Sequence, residues 1–95
     1  MLDAIRTFID VATERSFTAV AKRRDVAVSS ITRKVDALEA ELGAKLLARH
    51  SRALMLTDAG EQFLPRARHI VAEMDDARHS LADLQADPRG LLTVT

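Results

Sequence analysis

The chain has 95 residues and no formal net charge at pH 7, with 47% hydrophobic and 29% charged residues, a balance that permits one small packed domain and argues against disorder. Because it contains no cysteine, a disulfide framework and a cysteine-ligated zinc site are excluded. No apolar run approaches the roughly 20 residues that cross a bilayer, and the N-terminus lacks the features of a signal peptide, so we expect a soluble, cytoplasmic protein without a membrane partner.

The first predicted element is a helix from about Leu2 to Glu14, whose apolar side chains recur at steps of three and four residues. Residues 16–18 interrupt this pattern. We predict a second, short helix that runs to about Arg24, with Thr18 as its N-cap.

A tight turn at residues 25–27 leads into a third predicted helix, which runs to about Leu42. Its apolar stripe consists of Val28, Ile31, Val35, Leu38 and Leu42. Gly43 follows at once and supplies the left-handed residue that commonly ends a helix. Two helices joined by a short turn occur in many classes of protein, so this arrangement alone does not indicate a function.

Two short apolar segments follow, Leu46–Leu47 and Leu54–Leu56. They predict a small β-hairpin whose connecting residues include Arg49 and Arg52. In the second strand Leu54 and Leu56 share one face, which leaves Met55 on the other.

One long helical pattern occupies about Thr57 to Gln85. Pro65 lies inside it and should bend the helix near its start, because its ring removes the hydrogen bond to the Glu61 carbonyl. Along this helix runs a heptad seam, which predicts a coiled-coil dimer interface of Phe63, Ala67, Ile70, Met74, Ala77, Leu81 and Leu84. We expect the compact head to end near Thr57, so that one copy cannot bury this stripe. The alternative is a long helix that folds back onto its own head.

Charges are distributed unevenly along the chain. Residues 15–52 carry nine Lys or Arg against four Asp or Glu, whereas residues 58–95 carry four against seven. No acid occurs between Val26 and Val35, although acids occupy the end of the third helix. A helix that enters the major groove by its N-terminal end requires this order, since carboxylates must stay clear of phosphates. An ordinary amphipathic helix with a polar face is the alternative, and the arginines of the hairpin favour DNA.

Several segments together resemble the N-terminal domain of bacterial LysR-type transcriptional regulators. They are Ser16-Phe17-Thr18, Arg33 followed by Ala37-Leu38-Glu39, Leu42 to Arg49, and Leu56-Thr57-Asp58-Ala59-Gly60. The resemblance extends from residue 1 to about residue 86. Residues 90–94 resemble the first strand of that family's effector-binding domain, and a lone terminal strand is expected of a fragment of a longer protein.

This resemblance implies a mainly α fold: a winged helix-turn-helix of three helices and a hairpin wing at 1–57, a linker and dimerisation helix at 58–86, and the start of an effector-binding domain at 87–95. It implies a ligand-responsive transcription regulator, not an enzyme. Such a protein would bind an inverted-repeat operator in double-stranded DNA as an antiparallel homodimer, and the full-length protein would be a tetramer. The expected DNA-binding residues are Thr18, Ser29, Ser30, Thr32, Arg33, Lys34, Arg49 and Arg52, with Arg52 reaching the minor groove. No metal or cofactor is expected, and a small-molecule effector would bind only through the C-terminal domain that is absent here.

The chain departs from the family pattern at three positions. Ala27 and Val28 replace the usual Ser and Gln or Pro, which removes the usual N-cap of the recognition helix. Ser29 could take over as the cap if the helix starts two residues late. Arg24 stands where an inward Leu is typical, so either its side chain snorkels or the turn shifts. A helical adaptor that dimerises through the seam without binding DNA is the second functional hypothesis.

Overall fold

The structure, a computed structural model, describes residues 1–49 and 53–86. In chain order its elements are α1 (Leu2–Glu14), α2 (Phe17–Arg24), α3 (Val28–Leu42), β1 (Leu47–Arg49), β2 (Leu54–Leu56) and α4 (Asp58–Ala86). Each predicted helix and the hairpin are confirmed, but Arg49, predicted in the connection of the hairpin, lies in β1, where it pairs with Leu54. The terminal strand predicted at residues 90–94 and the predicted minor-groove contact Arg52 lie outside the described residues.

The core lies between α1, α2, α3, the hairpin and the first half of α4. Its fully buried members include Phe8 and Val11 of α1, and Ile31 and Val35 of α3. The predicted stripe of α3 is confirmed in its middle but not at its ends. Val28 and Leu42 are 41% and 44% exposed, because no described element packs over the two ends of this helix.

Residues with a left-handed backbone conformation end all three helices of the head, and the one at Arg15 explains why the predicted cap of α2 is wrong. Arg15 has φ 55° and terminates α1, so the extended Ser16 becomes the N-cap of α2 and accepts a hydrogen bond from the Ala19 N–H at 3.0 Å. Thr18 therefore lies inside the helix. Gly43 ends α3 with φ 68°, as predicted.

The N-terminus of α3 lacks a side-chain cap. Ala27 is the N-cap residue, and the helix already begins at Val28. The prediction that Ser29 caps a helix starting two residues late is therefore wrong. Ser29 lies within the first turn, where its side chain is exposed to solvent.

Strands β1 and β2 pair antiparallel, with Leu47 opposite Leu56 and Arg49 opposite Leu54. Leu54 and Leu56 are half-buried while Met55 is exposed, which confirms the predicted alternation. The Thr57 hydroxyl donates to the Lys45 carbonyl at 2.5 Å and accepts from the Gly60 N–H at 3.0 Å. These bonds attach the start of α4 to the chain entering the hairpin.

Helix α4 runs without interruption through Pro65. The bend at that residue stays a prediction. The first half of the helix packs on the head: Ala67 is fully buried, the rings of Phe63 and Phe8 are 5.8 Å apart, and Arg6 contacts Asp75 at 2.5 Å. The expectation that the head ends near Thr57 is therefore wrong.

A second apolar row explains this packing. Leu64 and Val71 lie beside the predicted seam and, together with Ala67 of the seam itself, turn toward the core. Beyond Asp75 the helix projects away from the head, and the molecule measures 59 × 28 × 19 Å. The alternative in which the long helix folds back onto its own head does not occur.

Candidate nucleic-acid interface

The first two turns of α3 form a polar surface. Ser29 and Arg33 are exposed, and Ser30 and Thr32 are partly exposed. Because 3.6 residues complete one turn, Ser29 and Arg33 lie above one another on the same face. Thr18, the predicted contact from α2, is exposed in the first turn of that helix.

The N-terminal end of α3 can receive an anion. No side chain accepts a hydrogen bond from its first turn, and residues 26–29 are all exposed. The N–H groups of a helix's first turn lack partners within the helix, and its dipole adds partial positive charge there. A phosphate oxygen is the kind of group that such an end binds.

Lys34 differs from Arg33 in its surroundings. Its ammonium group lies 2.5 Å from the Asp3 carboxylate of α1, and this hydrogen bond holds the pKa of Asp3 below its ordinary value of 3.8. None of the ion pairs formed within residues 1–49 and 53–86 involves Arg33. Of these two cations on α3, Arg33 is the one available to an incoming phosphate.

Arg24 lies between α2 and α1. Its guanidinium donates to the Thr7 hydroxyl at 2.8 Å and to Asp10 at 2.6 Å, and its side chain is 21% exposed. Thr7 is fully buried. Polar partners on α1 thus accommodate the charge where an inward Leu was expected, and α2 keeps its full length to Arg24.

Arg49 contacts both α2 and α3. Its guanidinium carbon lies 4.5 Å from the centre of the Phe17 ring, and one of its nitrogens lies 3.3 Å from the Asp36 carboxylate. These distances are typical of a cation–π contact and of an ion pair. The residue that sequence analysis assigned to DNA therefore links the wing to the helix-turn-helix within the chain.

A buried carboxylate positions the wing, and sequence analysis missed it. Glu39 is 6% exposed and accepts hydrogen bonds from the N–H groups of Leu46 at 2.7 Å and Leu47 at 3.2 Å. Its position four residues after Val35 and three before Leu42 was the available signal, because side chains at these spacings share one face of a helix.

The predicted seam of α4 divides into two parts. Ala67 and Phe63 contribute to the head's own core, whereas the distal members remain on the surface: Ile70, Met74, Ala77, Leu81 and Leu84. Leu81, the most exposed of the large ones, is 61% accessible. The described chain therefore leaves an apolar row on its projecting helix.

Among residues 1–49 and 53–86 no three His, Cys, Asp or Glu side chains are grouped so that they could hold a metal ion. The Asp75 carboxylate is instead paired with Arg6. None of the described helices is long and apolar enough to cross a membrane.

Comparison with known sequences identifies similar proteins over the whole chain. The family model for "Bacterial regulatory helix-turn-helix protein, lysR family" matches residues 2–61. The HTH-type transcriptional regulator PtxR of Pseudomonas aeruginosa is 37% identical over 99% of this chain and 30% of its own length. The HTH-type transcriptional regulator PgrR of Escherichia coli (strain K12) is 38% identical over 96% of this chain and 30% of its own length. The chain spans about 30% of the length of these curated relatives.

Solved structures give the same result for the fold. The BenM_DBD/catB site 1 DNA complex aligns with a TM-score of 0.85 and 30% identity, over 92% of this chain and 98% of that one. CbnR, named as a LysR family transcriptional regulator, aligns with a TM-score of 0.81 and 38% identity, over 86% of this chain and 28% of its own.

Proposed function

This chain belongs to the lysR family of bacterial regulatory helix-turn-helix proteins, and from that premise we propose that it binds an inverted-repeat operator as an antiparallel dimer and thereby controls transcription. The winged helix-turn-helix is the DNA-binding part of such regulators. The curated relatives are named as transcriptional regulators, not as enzymes. Two of the aligned structures are DNA complexes by name, with catB site 1 and benA site 1, and this supports double-stranded DNA as the partner.

One observation carries this proposal: the N-terminal half of α3 combines an exposed, uncapped helix end with an exposed arginine and no acid. A phosphate can therefore approach the first turn without meeting a carboxylate on that half of the helix. The acids Asp36, Glu39 and Glu41 all follow Val35. Such a helix fits the major groove by its N-terminal end.

We assign different roles to the candidate contacts. Arg33 binds a phosphate, while the short side chains of Ser29, Ser30 and Thr32 supply donors close to the groove. Thr18 contacts the backbone from the start of α2. Lys34 is paired with Asp3, and Arg49 is paired with Asp36. To bind DNA directly, each cation must leave the paired carboxylate and contact a phosphate instead. Arg52, outside the described residues, keeps its proposed place in the minor groove.

The proposed dimer uses the distal half of α4. Its row of exposed apolar side chains lies on the projecting part of the helix, and a partner would remove that row from water. The 29 residues of α4 span about 43 Å at 1.5 Å per residue. This length suits two heads that read neighbouring major grooves, which lie roughly 34–36 Å apart.

Residues 87–95 are proposed as the start of an effector-binding domain, through which a small molecule would regulate the full protein. Its tetramer and its ligand response belong to that longer chain. Residues 1–57 and 58–86 remain the proposed DNA-binding and dimerisation segments, although the head's core includes the first half of α4.

Electrophoretic mobility shifts test DNA binding against the adaptor hypothesis. The 95-residue chain is titrated into an unrelated duplex at 50 and 200 mM salt. We expect a shift at low salt that weakens at least tenfold at the higher salt, because binding to phosphates releases counterions. An adaptor that dimerises only through α4 would shift no duplex at either salt concentration.

A further inference from the structure

We infer that two surface carboxylates of the head weaken its binding to DNA of arbitrary sequence, because each holds a nearby cation in an ion pair. The pairs are Asp3 with Lys34 and Asp36 with Arg49. This inference rests on the proposed function, and it adds two residues that bind no DNA themselves. By acting through the cations beside them, they determine how strongly the head favours its operator over other DNA.

Asp3 lies in the first turn of α1 and reaches across to α3. One of its oxygens lies 2.5 Å from the Lys34 ammonium group, and the other lies 4.0 Å from the Arg24 guanidinium. Arg24 also contacts Asp10 at 2.6 Å, so Lys34 is the cation that depends on Asp3. The Asp3 side chain is 62% exposed and that of Lys34 is 39% exposed. A phosphate can therefore reach the same ammonium group from solvent.

Asp36 continues the polar face of α3. It follows Ser29 by seven residues and Arg33 by three, spacings that place all three on one side of the helix. Its carboxylate lies 3.3 Å from the Arg49 guanidinium, and both side chains are about half exposed. The face that would meet the duplex thus ends at an acid, and this acid holds the cation of the wing.

Stabilisation of the fold is a weak reason for these two pairs. Ion pairs between exposed side chains contribute little to folding, because water solvates both charges and the long side chains lose freedom. Arg49 has a second contact that positions it, since its guanidinium lies 4.5 Å from the centre of the Phe17 ring. An effect on the binding of a polyanion is the stronger reason, because each pair lies beside the proposed DNA-binding residues.

A phosphate that approaches either cation competes with the carboxylate already there. If the cation stays with the carboxylate, the DNA lacks that contact. If it moves to the phosphate, the carboxylate remains close to a second negative charge, which repels it. Both contacts are therefore weaker than that of Arg33, which joins no ion pair of the described residues. Nonspecific binding consists almost entirely of phosphate contacts, so the two acids weaken it.

Binding to the operator depends less on these two cations. The proposed base contacts of Ser29, Ser30 and Thr32 add affinity there, and they hold the head in one register on the duplex. We therefore expect the two acids to reduce the affinity for unrelated DNA more than the affinity for the operator. The ratio of these affinities decides how well an operator is occupied among many competing sites.

The first test is Asp3→Asn in the 95-residue chain, with binding to an unrelated duplex followed by fluorescence anisotropy over a salt series. Asparagine keeps the size of the side chain but removes its charge, so Lys34 becomes free to bind a phosphate. We expect binding at low salt to tighten about threefold or more, and the log–log salt slope to steepen by up to about 0.9 per copy. Asp36→Asn should act in the same way through Arg49.

Asp25→Asn is the matched control for both variants. Asp25 is an exposed acid between α2 and α3 that joins no ion pair of the described residues. Its replacement removes the same charge without freeing a cation. The difference between Asp3→Asn and Asp25→Asn therefore measures the effect of the ion pair.

A double-mutant cycle shows whether Asp3 acts through Lys34. In the Lys34→Met background no cation remains for Asp3 to hold at that position, so Asp3→Asn should tighten binding no more than Asp25→Asn does. A gain that persists without Lys34 would mean that the carboxylate merely repels DNA, and it would overturn the inference. A purely structural Asp3 would give weaker binding on replacement, not tighter binding.

The last measurement compares the unrelated duplex with one that the parent chain selects in vitro from a random library. We expect a smaller gain on the selected duplex, so that the ratio of the two affinities falls in Asp3→Asn and Asp36→Asn. Equal gains on both duplexes would overturn the role of the acids in specificity. A parent chain that binds DNA, with both variants no tighter than Asp25→Asn, overturns this inference alone. A parent chain that binds no duplex at low salt overturns the proposed function as well.

Discussion

At the scale of single residues, the cations of the head differ in whether a carboxylate lies beside them. Lys34, Arg24 and Arg49 each lie within 4 Å of a carboxylate. Arg33 takes part in no ion pair of the described residues, and its side chain points outward from α3. The positive charge that a DNA duplex would meet on α3 is therefore concentrated at Arg33, because carboxylates offset the charges of the other three.

Arg33→Ala tests this assignment. We expect weaker binding to every duplex, because one phosphate contact is lost, and a log–log salt slope smaller by about 0.9 per copy. Fluorescence anisotropy over a salt series measures both. Arg23→Ala removes the same charge from a residue that pairs with Glu14 and Asp10, and it serves as the control. If discrimination between operator and random DNA collapses while nonspecific affinity holds, Arg33 reads a base instead.

At the scale of elements, the segment that leads into the hairpin approaches the start of α4 closely at Gly60. Gly60 lies against the backbone of Leu46, where an added Cβ would stand 2.1 Å from the carbonyl oxygen. Glu39 holds the same segment through the N–H groups of Leu46 and Leu47. The wing and the long helix thus share one anchor, which couples the position of the wing to that of α4.

Gly60→Ala should therefore destabilise the protein by about 3 kcal/mol or more, because the backbone at Leu46 or that of α4 must shift to make room. Urea unfolding followed by circular dichroism measures the free energy. Gly43→Ala is the control: nothing lies within 4 Å of the added Cβ there. Its cost is the left-handed backbone at φ 68°, about 1–2 kcal/mol. Equal losses in both variants would contradict the close approach at Gly60.

The contact between α1 and α4 predicts a pH dependence. The hydrogen bond from Arg6 holds the pKa of Asp75 below its ordinary value of 3.8. A carboxyl group whose pKa is lower in the folded state stabilises that state above 3.8, and this stabilisation is lost as the pH falls through the lowered value. Asp3 acts in the same direction through Lys34.

We expect Asp75→Asn to be less stable than the parent chain at pH 6 and to lose less stability between pH 5 and pH 2.5. Urea unfolding at several pH values gives both quantities. Asp76→Asn, at a neighbouring exposed acid that joins no ion pair of the described residues, should follow the parent curve. Parallel curves for the parent and Asp75→Asn would show that this pair does not attach α4 to the head.

At the scale of the whole molecule, α4 presents two adjacent faces with different roles. One face completes the head's core through Leu64, Ala67 and Val71. The other stays exposed from Ile70 to Leu84. Because the first face fixes the direction in which the helix projects, it also determines the relative position of two heads once the second face is paired.

Leu81→Asp tests the proposed assembly. A charge buried in the seam costs several kcal/mol, so light scattering should show the variant near the 10.5 kDa of a single chain and the parent near twice that mass. The variant should also lose about 100-fold or more in operator affinity, because the two heads are no longer linked. Ala82→Asp adds the same charge off the row and should remain dimeric. A parent chain of single mass would contradict the proposal.

Local patterns predicted the elements of this protein. The three- and four-residue steps of the helices, the alternation at residues 54–56 and the glycine at 43 depend on neighbours a few positions apart, and the structure confirms each of them. The caps were predicted less well. Whether Ser16 or Thr18 caps α2 depends on where the preceding helix ends, and that is decided by the left-handed turn at Arg15.

The helices, the hairpin and the polar face of α3 follow from patterns along the chain. Which cations are neutralised, and which part of α4 belongs to the head, depends on how the helices pack against one another. Arg6 and Asp75 are 69 positions apart, and Arg24 and Thr7 are 17 apart. Spacing along the chain cannot predict such partners, because they meet only after the apolar faces of separate helices have packed together and set the distances between their polar edges.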